Sequence, residues 1–118
     1  MKKHSASPDH LFVYGSLKPG ESADHLLAGL EGYWRDATVP GHHFPGGLPE
    51  TGGFPALRLD PNGRHVPGMV FSSVSLSHQW PLLDAYEGLA YTRVKTEVHL
   101  ESGQRLMAWI YIVQSVRP

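Results

Sequence analysis

Along the last third of the chain, apolar and polar residues alternate with a period of two. Val94, Thr96, Val98 and Leu100 alternate with Arg93, Lys95, Glu97 and His99, and Leu106, Ala108, Ile110 and Ile112 alternate with Met107, Trp109, Tyr111 and Val113. Successive side chains of a strand point to opposite faces, so the pattern predicts two strands joined by a turn at Glu101-Ser102-Gly103-Gln104. Near the start, Leu11-Phe12-Val13-Tyr14 is an unbroken apolar run stopped by Gly15, as expected of a short strand buried on both faces. A turn at Lys18-Pro19-Gly20 leads into Ser22 to Leu30, which predicts a short helix capped by Ser22, with Leu26, Leu27 and Leu30 on one side.

The middle of the chain is more broken. Trp34 to Val39 reads as a strand ended by Pro40-Gly41, and the glycines and prolines of Pro45 to Gly53 predict a loop that can serve as a lid. Ala56 to Leu59 and Val66 to Val74 flank Asp60-Pro61-Asn62-Gly63, whose residue types suit a type I turn, and the simple expectation is a hairpin. Ser75 or Ser77 can open a second helix that reaches Tyr86, provided Pro81 lies near its first turn. Gly88 can take the left-handed conformation that ends it. The elements add up to an α+β fold: a mixed, mainly antiparallel sheet or barrel of about six strands with two or so short helices.

Length changes this picture little, since 118 residues make one domain, with residues 1–9 expected as a poorly ordered tail and 10–118 as the folded unit. Charge narrows the partners. Ten basic and eleven acidic residues, without a long like-charge run, leave no footprint for nucleic acid or anionic lipid and favour a small-molecule partner. The longest apolar run, Met107 to Val113, is far below the roughly 20 residues of a spanning helix, and no signal-peptide core fits the first residues. The absence of cysteine removes thiol chemistry and suits a cytoplasmic setting.

Two places could carry chemistry. Gly15 lies between a buried strand and a turn, where the amides of Gly15, Ser16 and Leu17 can converge on an anion or a polarised carbonyl; an ordinary strand-ending turn explains the same residues. Ser16 lacks the G-x-S-x-G elbow of a hydrolase nucleophile. Glu87 follows an apolar helix face, Leu82-Leu83 with Tyr86, and precedes a terminating glycine. Partial burial and the negative helix end would both raise its pKa toward the range of proton transfer, whereas a solvated helix-end glutamate is the plain alternative. The histidines at 42, 43, 65 and 99 fit no established metal spacing, so no metal is expected. Trp34, Trp80 and Trp109 read as core or pocket walls.

Leu11-Phe12-Val13-Tyr14-Gly15-Ser16-Leu17-Lys18, then Leu82-Leu83-Asp84-Ala85-Tyr86-Glu87-Gly88 and Tyr91-Thr92-Arg93, resemble the gamma-glutamylcyclotransferase-like family. Between them, Gly53-Phe54-Pro55-Ala56-Leu57 and Val66-Pro67-Gly68-Met69-Val70-Phe71 are similar to further stretches of that family in the same order, so the likeness covers about residues 11–113. The resemblance implies a mixed β-barrel with helices outside and a cofactor-independent enzyme that releases 5-oxoproline from a gamma-glutamyl compound. It further implies that Tyr14, Gly15, Ser16 and Leu17 hold the glutamyl group, that Glu87 is the acid and base, and that Tyr91 and Tyr111 border the pocket. The chain departs from the family at Glu21-Ser22-Ala23-Asp24-His25, where an asparagine is frequent. A non-catalytic barrel that binds a small ligand or a protein partner is the alternative from another class, and the sequence does not separate peptides, amines and other gamma-glutamyl metabolites as substrates.

Overall fold

The computed structural model describes residues 7–113. The tail expected over residues 1–9 therefore falls mostly outside them, and Asp9 already begins the first strand. In chain order the elements are β1 (Asp9–Val13), α1 (His25–Ala28), β2 (Tyr33–Phe44), β3 (Ala56–Leu59), β4 (Arg64–Ser73), α2 (Trp80–Glu87), β5 (Tyr91–Leu100) and β6 (Arg105–Val113).

The strands run in the order β2-β4-β1-β6-β5, and β5 returns to β2 through Ala37 opposite Leu100 and Thr38 opposite His99. Five strands thus close a barrel, which leaves few edges exposed, and β3 lies outside it, paired to β2. The β1–β6 pairing is parallel and every other pairing is antiparallel. The expected mixed, mainly antiparallel barrel with two short helices is what forms.

Burial on both faces of β1 organises the core. Phe12 packs into the barrel with Val39, Val70, Val98 and Ile110, while Leu11 and Val13 pack outside with Leu27 of α1, Leu83 of α2 and Tyr111. This is why Leu11 to Val13 carries no polar residue. The alternation of β5 and β6 divides the same way, with Val98, Leu100, Ala108 and Ile110 inside the barrel and Tyr111 and Trp109 beneath the helices.

Two expectations about the strands need correction. Residues 56–59 and 64–73 do not form a hairpin, because both strands pair with β2: Leu59 and Arg64 face the same Gly41. The connecting turn, closed by Gly63 N–H donating to the Asp60 carbonyl at 2.8 Å, crosses over β2 at that point. Two glycines make the crossing possible, since a Cβ on Gly63 would lie 2.8 Å from the Gly41 Cα. Pro40-Gly41 likewise does not end β2. The Pro40 carbonyl accepts from the Asp60 amide on the outer edge, so the amide hydrogen that proline lacks would point to the same edge, where β2 passes from β5 to β3.

Helix caps differ as well. Asp24, not Ser22, precedes α1, and its carboxylate accepts from the Gly20 amide at 2.9 Å instead of capping. Ser73, not Ser75 or Ser77, caps the 3₁₀ turn Val74–His78 by accepting from the Ser75 amide, and α2 follows with Pro81 in its first turn, as its missing amide requires. Gly88 ends α2 at φ 82° and ψ −173°, outside the left-handed helical region and in one that is essentially glycine's alone.

Candidate active site

The turn after β1, the C-terminal end of α2, the start of β5, the end of β6 and the loop before β3 enclose a cavity of about 190 Å³. That is smaller than the roughly 300–1,000 Å³ of pockets for drug-sized ligands and suits a group of amino-acid size. Tyr14, Gly15, Ser16, Leu17, Glu87, Tyr91 and Tyr111, each singled out in the sequence, all line it.

Glu87 projects from the last turn of α2 and is half-buried. No ion pair or hydrogen bond holds its carboxyl among the described residues, and burial pushes its pKa up to about 7. Burial alone accounts for this direction; the negative helix end, invoked on the sequence, is not needed. A carboxyl titrating near neutrality can accept and return a proton at working pH.

Among the residues lining the same cavity, Gly15, Ser16 and Leu17 have backbone amides that donate to no acceptor among the described residues. The carbonyls of the same turn are engaged, with Gly15 accepting from Lys18 and Ser16 from Ala23. The turn is thus fixed while consecutive N–H groups stay free, a concavity suited to a carboxylate or an oxyanion. The Ser16 hydroxyl shares a 2.8 Å hydrogen bond with the Tyr86 hydroxyl, so it braces α2 against the turn.

Aromatic walls complete the cavity. The Tyr14 hydroxyl donates to the Tyr111 carbonyl at 2.5 Å, and the Tyr91 hydroxyl to the Pro55 carbonyl at 2.6 Å. Burial, with Glu87 as a further contributor, pushes the pKa of Tyr14 and Tyr91 up; burial and the bond to Asp84 do the same for Tyr111. All three therefore remain protonated donors. The loop expected to be irregular contains a 3₁₀ turn, Pro49–Thr51, with buried Thr51 tied to the carbonyls of Leu48 and Phe54. Thr51, Phe54 and Pro55 reach the cavity from it, so the loop borders the site as expected. Sequence reasoning missed Thr51 and gave Tyr86 no site role. Tyr86 stands beside Glu87 as an aromatic on a helix face, and that was the available signal.

One turn before Glu87, Asp84 anchors α2 to the hairpin. Arg93 donates to both its carboxylate oxygens, at 2.8 and 3.2 Å, and the Tyr111 hydroxyl donates to one of them at 2.6 Å. The Arg93 guanidinium lies 4.4 Å from the Trp80 ring centre and 4.6 Å from that of Trp109. The Arg93 bonds hold the Asp84 carboxyl below its usual range. A depressed carboxylate stabilises the fold above its unfolded pKa and loses that contribution as pH falls through the folded value. Asp84→Asn is expected to cost about 1 kcal/mol in urea unfolding at pH 7, the exposed side of the pair being screened, and nothing at a pH where the parent carboxyl is protonated; an equal cost at both pH values would assign the effect to packing.

The histidines serve separate structural contacts. His42 pairs with Asp60 at 2.8 Å, His65 packs on His99, and His43 meets the Tyr14 ring edge-on at 5.5 Å. Among the described residues, no group of three His, Asp or Glu side chains is arranged to hold a metal ion.

The sequence model of the family described as gamma-glutamyl cyclotransferase, AIG2-like, matches residues 11–118. The chain belongs to that family. Solved structures share its fold. An AIG2-like protein from Mus musculus superposes with a TM-score of 0.70 at 21% identity, covering 95% of this chain and 81% of that one. YkqA from Bacillus subtilis does so with 0.70 at 24% identity, covering 90% of this chain and 36% of that one. An Arabidopsis thaliana protein solved in solution gives 0.67 at 25% identity, with 94% and 66% covered. The chain thus spans about a third of the YkqA chain but most of the mouse protein. Among curated proteins none matches. In this chain the cavity is bordered by the turn after β1 and by the end of α2, which bears Glu87.

Proposed function

We propose that the protein is a gamma-glutamyl cyclotransferase. The supporting observation is the pairing, within one small cavity, of an unpartnered half-buried carboxyl, Glu87, with the free amides of Gly15, Ser16 and Leu17.

The substrate's α-amine attacks its own γ-carbonyl carbon. One C–N bond forms in a five-membered ring, and the bond from that carbon to the departing nitrogen breaks. The α-ammonium gives up two protons in becoming a ring amide, and the departing nitrogen takes up two when it leaves as an ammonium ion, so no water is consumed. Glu87 carries protons from one nitrogen to the other. The free amides bind the α-carboxylate or the developing oxyanion, and the walls formed by Tyr14, Tyr91 and Tyr111 hold the flexible glutamyl chain folded, which supplies rate through orientation. Residues of this chain suffice for the reaction without a cofactor.

A screen of gamma-glutamyl compounds for 5-oxoproline release tests the proposal. Release of 5-oxoproline with equimolar free amine is expected. Saturable ligand binding without release from any of them would favour the non-catalytic barrel.

A further inference from the structure

The proposed reaction is served by two parts of the chain that the cavity brings together: the turn after β1, with its free amides, and the last turn of α2, with Glu87. Each is fixed by itself. The turn is held by its own backbone bonds, Lys18 N–H to the Gly15 carbonyl at 3.1 Å and Ala23 N–H to the Ser16 carbonyl at 2.9 Å. The helix is held to the hairpin of β5 and β6 through Asp84, Arg93 and Tyr111. Neither set joins one part to the other. Among the described residues a single hydrogen bond joins them directly, the 2.8 Å bond between the Ser16 and Tyr86 hydroxyls.

Both residues line the cavity and each neighbours a working group, since Ser16 supplies one of the free amides and Tyr86 precedes Glu87. Leu17 and Leu83 share a buried apolar cluster beneath, but apolar packing is non-directional and leaves the separation at the rim to the hydroxyl bond. Tyr86 is 43% exposed, so its ring adds little to the core. In the ring closure the amides hold the substrate while Glu87 moves protons between its two nitrogens, and the rate depends on how well the two are registered. We infer that Tyr86 is a positioning residue for this reaction, which through Ser16 holds the amide turn at its working distance from Glu87. This rests on the cyclotransferase reading of the same cavity.

The test is a double-mutant cycle on 5-oxoproline release, with rates taken per folded enzyme and with the gamma-glutamyl compound that the parent turns over fastest. Tyr86→Phe keeps the ring and removes the hydroxyl; Ser16→Ala removes its partner and keeps the backbone amide. Each should lower kcat about tenfold, short of the roughly hundredfold that a misplacement of about 1 Å can cost, with KM within about twofold of the parent. The double variant should be no slower than the slower single one, because the same bond is lost in all three. The rising limb of the pH profile should stay near pH 7 in Tyr86→Phe, since the burial of the Glu87 carboxyl is retained. A kcat for Tyr86→Phe within about twofold of the parent, a higher KM at unchanged kcat, a limb displaced by about a unit or more, or losses that multiply in the double variant would overturn the brace and leave the cyclotransferase standing. No 5-oxoproline from the parent with any compound would overturn that reading, and this inference with it.

Discussion

Glu87→Gln is expected to lower turnover by about a hundredfold or more, the usual scale for a general acid and base, while the protein stays folded. Glutamine keeps the size of the side chain and removes the basic oxygen. Stability gives an independent check, because the sign of the linkage is unusual for a carboxylate. The folded pKa of Glu87 is raised to about 7 by burial. Between the unfolded value and about 7 the folded state therefore binds more protons, and the contribution of this group to stability falls as pH rises through that window. The neutral amide has no such dependence. Glu87→Gln should thus melt at or above the parent temperature at pH 8, gaining stability where it loses activity, the trade expected of a desolvated functional group. Turnover within about twofold of the parent, in protein shown to be folded, would remove Glu87 from the mechanism.

Phe12→Ala is expected to have the largest effect on the fold, about 3–5 kcal/mol in urea unfolding, as for other buried aromatics cut back to alanine. Phe12 is 1% exposed, packs with residues from every strand of the barrel and also lines the cavity. Its ring closes against Gly68, where an added Cβ would overlap it, so no neighbour is placed to fill the space. Set against a total stability of roughly 5–15 kcal/mol for a domain of this kind, the loss would leave the protein marginal. A lower midpoint at unchanged slope in denaturant is the expected signature; a cost under about 1 kcal/mol would mean that the barrel does not close around β1.

Much of this architecture is legible in the sequence because local pattern and global fold agree. The alternation of β5 and β6 and the unbroken apolar run of β1 state their burial directly. Gly88 marks the end of α2, although its actual conformation serves glycine for a different reason than the one expected. What was not legible depends on partners distant in sequence. Pro40 reads as a strand terminator, and its tolerance comes from a change of neighbour along one edge of β2. Asp60-Pro61-Asn62-Gly63 reads as a hairpin turn, and only the packing of Gly63 on Gly41 shows that the chain crosses β2. Within the site, Gly15 and Glu87 announce themselves by residue type and position. Thr51 arrives through a loop whose course is set by its own hydrogen bonds to Leu48 and Phe54. Asp84 and Arg93, nine residues apart, form a link between helix and hairpin that no periodicity encodes.

The central claim is that Glu87 moves protons in a ring closure at this cavity, and the pH dependence of kcat/KM for 5-oxoproline release between pH 5 and 8 tests it most directly. The rate should rise about tenfold per pH unit below about 7 and level off above it, following the ionisation of Glu87 in the free enzyme. In Glu87→Gln the residual rate should show no such limb. A parent profile already level above pH 5, or a limb near 7 that persists in the glutamine variant, would contradict the claim.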